Sequence, residues 1–348
     1  MFSFAQLALP LIQAPMAGGI TTPQLVAAVA NQGGVGSFGF AYSAPEKIHA
    51  DLVAAQSLTS GPINANFFVF NPVRLPSGQT QKNAIEALRS LNVDGVESLT
   101  IPAEPFYPSL MDQLEPIWKA RPAILSFHFG LPPEGVIEKA HALGIAVGIS
   151  ATSLAEALAI ESAHADFIVA QGIEAGGHRG QFDLQAKDEG LNALELTAQL
   201  AKHCRIPVVA AGGIMSGADI NAALSKGAQA AQMGTAFLCC DESGTPSSYR
   251  HYLLHKQNRP TILTKAFSGR FARGIENTFI RTMQDQVTLP FPIQNTLTGP
   301  LRQWASAQQD AEYQSLWAGT AYAQVRSMST QDLMQQLRDE IKQASLTR

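Results

Sequence analysis

Short, continuously apolar runs punctuate the chain at 11–16, 35–40, 63–70, 123–130, 146–150, 167–170, 207–211 and 230–238, and most are followed by stretches with helical spacing of apolar positions. The helical patterns cover 24–32, 45–56, 133–143, 153–164, 191–204 and 217–226. The first has a sound start signal, Thr22 as the cap and Pro23 in the first turn. Runs without polar alternation are what parallel strands look like when both faces are buried. Eight such units predict an α/β fold, a (β/α)8 TIM barrel, in preference to an open doubly wound sheet. The barrel is expected over 1–260, with an enlarged connection at about 71–122 that holds helices near 79–91 and 107–119. Beyond it, 261–277 is basic and Gly-bearing, and 301–328 and 330–344 look helical. Residues 261–348 are therefore expected to form a basic loop and a small helical extension packing on the barrel mouth.

Composition narrows the class. Of 348 residues 46% are hydrophobic and 15% charged, which is ample material for one large core and argues against disorder. A net charge of −4 without a Lys/Arg cluster offers no footprint for nucleic acid or an anionic membrane surface. No apolar run approaches the ~18 residues of a membrane span, and the first ten residues lack the positive charge of a signal peptide. Three cysteines, Cys204, Cys239 and Cys240, provide neither a disulfide framework nor a metal-binding spacing, which fits a reducing cytoplasm.

Two motif matches carry little. Gly34-Val35-Gly36-Ser37-Phe38-Gly39 spells the dinucleotide fingerprint, yet it follows a helical pattern and is itself the apolar strand. His251 and His255 share a helix face but have no acidic partner between them and no third ligand.

The chemistry gathers at strand ends. The sixth run empties into Gln171-Gly172-Ile173-Glu174-Ala175-Gly176-Gly177-His178-Arg179-Gly180, a loop whose glycines permit close backbone approach and whose histidine is titratable. At the seventh, Ala211-Gly212-Gly213-Ile214 precedes Ser216 and Asp219, a reciprocal helix cap that leaves amides beside Gly212 and Gly213 facing the mouth. Gln232-Met233-Gly234-Thr235 follows at the eighth. Loops after strands seven and eight are the usual phosphate site of barrels, so the two sets form a candidate phosphate cradle. Asn64 and Asn66 in the third run, and His128 at the end of the fourth, are polar where a core strand needs a reason for polarity.

Taken jointly, Gln13-Ala14-Pro15-Met16-Ala17-Gly18-Gly19, Asn64-Ala65-Asn66-Phe67-Phe68-Val69, Ser126-Phe127-His128-Phe129-Gly130, the Gly-Gly-His loop, the two glycine sets and the segment from Lys265 to Gly274 resemble the nitronate monooxygenases, formerly 2-nitropropane dioxygenases, and among them the class I members. The resemblance covers most of the chain in order. It implies non-covalent FMN in the barrel mouth. Ala14, Pro15 and Met16 would lie against the isoalloxazine ring, and Asn66 and Gln171 would hydrogen-bond its polar edge or the ribityl chain. Gly176, Gly177, Gly212, Gly213, Gln232, Met233, Gly234 and Thr235 would serve the ribityl phosphate. His178 is the expected chemical histidine, titrating near neutrality for proton transfer at the nitro-bearing carbon, and His128 a second polar group that binds the nitronate oxygens. Lys265 or Arg273 would stabilise reduced flavin. The implied reaction oxidises an alkyl nitronate such as propionate 3-nitronate with dioxygen, yielding a carbonyl compound and nitrite. Two other readings stay open: an NADH-dependent quinone or enoyl-thioester reductase on the same barrel, and a non-redox phosphate-binding isomerase or lyase. The sequence leaves the oligomeric state, including a homodimer, open.

Overall fold

A computed structural model describes residues 2–96, 99–255 and 258–346. Its strands are β1 (Leu11–Gln13), β2 (Gly36–Gly39), β3 (Ile63–Phe68), β4 (Ile124–His128), β5 (Ala146–Ala151), β6 (Phe167–Gln171), the two-residue β7 (Gly177–His178), β8 (Val208–Ala211), β9 (Ala230–Met233), β10 (Thr261–Thr264) and β11 (Ala272–Ile275). Eight of them form one parallel sheet in the order β1-β9-β8-β6-β5-β4-β3-β2. A parallel bridge between Ile12 and Val35, with the Gln13 amide donating to the Val35 carbonyl at 2.9 Å, brings β1 against the β2 edge. The ring is a TIM barrel, as the run count requires.

The helices begin where their caps dictate. Thr22 accepts from the Leu25 amide at 3.0 Å at the head of Pro23–Asn31, and Ser216 and Asp219 complete a reciprocal cap on Gly217–Ser225. Gly36 carries the rejected fingerprint and has a packing role, since a Cβ there would lie 2.0 Å from the Val26 carbonyl oxygen of the covering helix.

Three expectations change. The eighth run ends as a strand at Met233, and Thr235–Phe237 turns as a 3-10 helix whose Ala236 and Phe237 remain buried. A short apolar run reads the same whether it is strand or buried turn. The 301–328 pattern is a helix only over Gly299–Ala307; Gln309 at φ 54 ends the helical path and a 3-10 turn follows at Ala311–Tyr313. The last helix, Thr330–Leu346, counted above with the extension, packs against Gly217–Ser225 and Pro23–Asn31. Its Glu340 accepts from the Gly217 amide at 2.7 Å, and its Arg338 donates to the Gln32 carbonyl at 2.8 Å. Part of 261–348 therefore completes the outer ring, because the barrel needs a helix between its eighth and first units.

What remains above the mouth is built from two distant segments. Ala84, Leu88 and Phe106 of the enlarged connection share a buried apolar cluster with Phe267, Phe279 and Leu301. The basic 261–277 segment is β10 and β11 rather than loop, and β11 pairs antiparallel with β7, setting Ala272 opposite His178. The Gly-Gly-His loop thereby becomes the edge strand of a small three-stranded sheet.

Candidate active site

The strand ends converge at one end of the barrel. The Ala14 amide donates to the Met233 carbonyl at 2.8 Å, and a Cβ on Gly234 would lie 3.3 Å from Ala14 Cβ and 3.8 Å from Met16 Sδ. The ends of β1 and β9 are thus in contact, as the proposed ring and phosphate positions require. At the opposite end a recess of about 680 Å³ is lined by Phe2, Gln6, Thr59 and Arg121, among others. Arg121 is its one charged lining residue, so the chemistry does not lie there.

The glycines at the ends of β8 and β9 leave a set of unpaired amides. Gly212 and Gly213 adopt φ of 124 and 69, a region that favours glycine, and turn the chain so that their amides and that of Ile214 are left without hydrogen-bond partners among the described residues. The amides of Gly234 and Thr235 are likewise unpaired among those residues. The neighbouring helix N-terminus is not available, because Asp219 takes the amides of Met215 and Ser216 at 3.0 Å each and Glu340 takes that of Gly217. A fourth wall was not foreseen. Ala318-Gly319-Thr320 crosses the cradle: the Gly319 amide donates to Thr235 Oγ1 at 3.0 Å, the Thr320 amide donates to the Glu174 carbonyl at 3.1 Å, and a Cβ on Gly176 would lie 2.5 Å from the Ala318 carbonyl carbon. Its sequence signal was a Gly-Thr pair like that at Gly234-Thr235. A cluster of unpaired amides beside glycines suits a phosphate, so these residues fit a flavin mononucleotide tail.

Around the loop most polar groups have partners, Asn64 Oδ1 being a buried exception. Gln171 Nε2 donates to the His178 carbonyl at 2.9 Å, and its Oε1 accepts from the Gly180 amide at 2.7 Å. Both ends of this amide brace the loop, and each keeps capacity for one more bond, since Nε2 carries a second hydrogen and Oε1 a second lone pair. Asn66 Nδ2 donates to Ser126 Oγ at 2.9 Å and Asn64 Nδ2 to Ser37 Oγ at 3.1 Å, which supplies the reason for polarity inside the barrel. Arg179 is buried against Asp188, at 2.7 Å, and the Gln171 carbonyl.

His128 and His178 lie together. His128 Nε2 donates to the His178 carbonyl at 3.1 Å, and His178 Nε2 sits 2.9 Å from Ser268 Oγ, a hydroxyl that is 1% exposed. His178 Nδ1 has no hydrogen-bond partner among the described residues. The rings of Phe68, Phe129, Phe291 and Trp317 surround His178 at 5.9, 5.8, 5.4 and 5.7 Å between centroids. Burial among them, then the nearby Arg270 charge, depresses the His178 pKa to about 3. Burial, opposed by the bond to the His178 carbonyl and aided by Arg270, takes His128 to about 4. The expected titration of His178 near neutrality is therefore corrected: both imidazoles are neutral at pH 7.

The cations are also not those expected. Lys265 is exposed and lies over the Phe271 ring at 4.5 Å. Arg273 donates through Nε to the Ile173 carbonyl at 2.9 Å and through NH1 to the Thr261 carbonyl at 3.2 Å, tying the loop to β10. The cation that acts most strongly on both histidines is Arg270, 3% exposed, its guanidinium 3.6 Å from the Phe129 ring centroid. It lies in the basic segment the sequence singled out, one residue beyond the turn glycine, but no spacing rule marked it. His251 and His255 lie with ring centroids 4.4 Å apart and planes tilted by 44° on the helix Ser247–His255, and no His/Cys/Asp/Glu group able to hold a metal occurs among the described residues.

A family model described as Nitronate monooxygenase matches residues 3–340. The chain belongs to the nitronate monooxygenase family. It is 42% identical over 340 residues to a nitronate monooxygenase of Paraburkholderia phytofirmans, covering 96% of this chain and 93% of that one. With a nitronate monooxygenase of Pseudomonas aeruginosa it shares 38% identity over 339 residues, 96% of each chain. Among solved structures, nitroalkane oxidase from Streptomyces ansochromogenes superposes with a TM-score of 0.93 at 35% identity, covering 99% of this chain and 98% of that one. FabK from Thermotoga maritima, at 23% identity and a TM-score of 0.76, shares the fold. Family membership makes the chain a flavin-dependent oxidoreductase that acts on a small molecule. No described helix is long and apolar enough to cross a membrane.

Proposed function

We propose that the chain binds FMN at the barrel mouth and oxidises preformed alkyl nitronates with dioxygen, releasing a carbonyl compound and nitrite. FMN bound there supplies an electron acceptor toward the nitronate and a donor toward dioxygen. The cradle of Gly212, Gly213, Ile214, Gly234 and Thr235 would hold its phosphate, with Ala14, Pro15 and Met16 against the ring.

The observation that carries the choice of substrate is the charge state around His178. A base whose conjugate acid has a pKa of about 3 is poorly matched to abstracting a proton from a neutral nitroalkane. The charges of Arg270 and Arg302 act on the same imidazole, and no acidic group among the described residues offsets them there. An environment of neutral imidazole and positive charge favours an anion that arrives already formed. In this reading the nitronate lies beside His178 within the field of Arg270 and Arg302, Ser268 Oγ accepts from His178 Nε2 and fixes the ring from behind, and the surrounding aromatic rings exclude water from the reacting carbon.

The test is oxygen consumption with propionate 3-nitronate and with neutral 3-nitropropionate, alongside NADH oxidation, on one FMN-loaded preparation. The nitronate is expected to be turned over far faster than either alternative. Rapid anaerobic bleaching by NADH, with no bleaching by the nitronate, would overturn the reading. Mass determination of the flavin released on denaturation distinguishes FMN from the dinucleotide.

A further inference from the structure

Arg302 lies on the helix Gly299–Ala307, in a stretch to which no function has so far been assigned. Its NH2 donates to the Asn295 carbonyl at 2.5 Å and to Asn295 Oδ1 at 3.1 Å. Its Nε is buried with no hydrogen-bond partner, and among the described residues no carboxylate forms an ion pair with this guanidinium. A buried guanidinium nitrogen without an acceptor is costly unless a ligand supplies one. The charge acts on two groups, the Tyr42 phenol and the His178 imidazole, which places it toward the mouth that holds His178.

The second cation there is differently employed. Arg270 lies against Phe129 and gives hydrogens to the Arg179 and Gln181 carbonyls. Glu156, the acid that acts on Arg270, is itself spent on the Thr152 amide and hydroxyl and the Phe182 amide. Tyr42, on whose phenol the Arg302 charge acts, keeps 40% of its surface open and packs against Phe68 and Phe70 at 5.9 and 5.8 Å, Phe68 being also a neighbour of His178.

One nitronate needs one cation, and two are present. We propose that Arg302, with the Tyr42 hydroxyl, forms a subsite for a carboxylate at the end of the substrate remote from the reacting carbon. The inference rests on the reading above, in which His178 faces the nitronate. It makes Arg302 a specificity-determining residue: the guanidinium and phenol supply donors to a planar oxyanion while the aromatic wall receives the intervening methylenes.

The experiment compares propionate 3-nitronate with propyl-1-nitronate, of similar length but uncharged at its far end, in wild type, Arg302→Met and Arg302→Lys. The ratio of kcat/KM for the first over the second is expected to fall about tenfold in Arg302→Met, carried by KM, and to recover in part in Arg302→Lys. A ratio unchanged within about twofold overturns the proposal. If Arg302→Met does not fold, Tyr42→Phe decides by the same ratio, with a fall of about threefold expected and an unchanged ratio overturning the proposal. Calorimetric titration with 3-nitropropionate and 1-nitropropane provides an arm without turnover. Loss of affinity for the carboxylate alone in Arg302→Met upholds the subsite even if oxygen uptake refutes nitronate oxidation; equal losses for both probes count against it.

Discussion

The His128 side chain ends on the backbone of His178: its Nε2 hydrogen is given to that residue's carbonyl at 3.1 Å, beside a second bond from Gln171 Nε2 at 2.9 Å. One carbonyl thus receives two side chains, from the ends of β4 and β6, and the loop that presents the second imidazole is fixed by the first. Replacing Gln171 by Leu removes both this bond and the one from the Gly180 amide, so it should cost about 1–3 kcal/mol in urea unfolding. His128→Leu removes one bond and should cost less. A larger loss in His128→Leu would contradict the division of labour.

His178→Asn should retain bound flavin, because no atom of the imidazole takes part in the glycine cradle, yet turnover of the nitronate should fall roughly 100-fold. Flavin absorbance after desalting and oxygen uptake measure the two separately. An unchanged rate would remove His178 from the chemistry.

The two depressed histidines predict how stability depends on pH. Folded His128 and His178 bind protons only near pH 4 and 3, whereas their unfolded counterparts do so near 6.5. Below pH 6.5 the unfolded chain therefore holds more protons, and unfolding becomes easier as pH falls toward 4. Thermal unfolding should show a Tm flat with respect to these groups above pH 7 and declining below 6.5. His178→Asn should weaken the decline, and a variant with the wild-type slope would rule out His178 as a source. The activity profile should show no limb near pH 6.5 from either imidazole.

Much of this was legible in the chain. The barrel could be read because each apolar run is a buried strand, and the cap at Ser216 and Asp219 because its reciprocal bonds are local. The cradle glycines were legible because a turn at φ 69 or 124 and close backbone approach both select glycine. What could not be read depended on long-range closure. Gln171 is a suitable flavin donor by type, and only the fold shows that both of its amide ends reach Gly180 and His178. Arg270, Arg302 and Trp317 approach His178 from segments some 90 to 140 positions away, the first beside a strand pairing between β7 and β11 that two residues of β7 cannot advertise. The near-neutral titration expected of His178 failed for the same reason: the rings that desolvate it come from four separate stretches of chain.

The cradle itself can be tested one methyl group at a time. In Gly176→Ala the added Cβ would meet the Ala318 carbonyl carbon at 2.5 Å and the Gly319 amide nitrogen at 2.6 Å, backbone atoms that cannot swing aside. The 318–320 segment must move, and with it the Gly319 bond to Thr235 Oγ1 that closes the fourth wall. In Gly213→Ala the new methyl finds ordinary room, 3.4 Å from Glu174 Cβ, and the penalty is mainly the left-handed backbone, roughly 1–2 kcal/mol. Both variants should lose flavin on extensive dialysis, Gly176→Ala more completely. Lys265→Ala, whose ammonium lies over Phe271 on the outside, should retain it. The reverse order, with Lys265→Ala losing flavin and Gly176→Ala holding it, would place the phosphate outside the loops after β8 and β9.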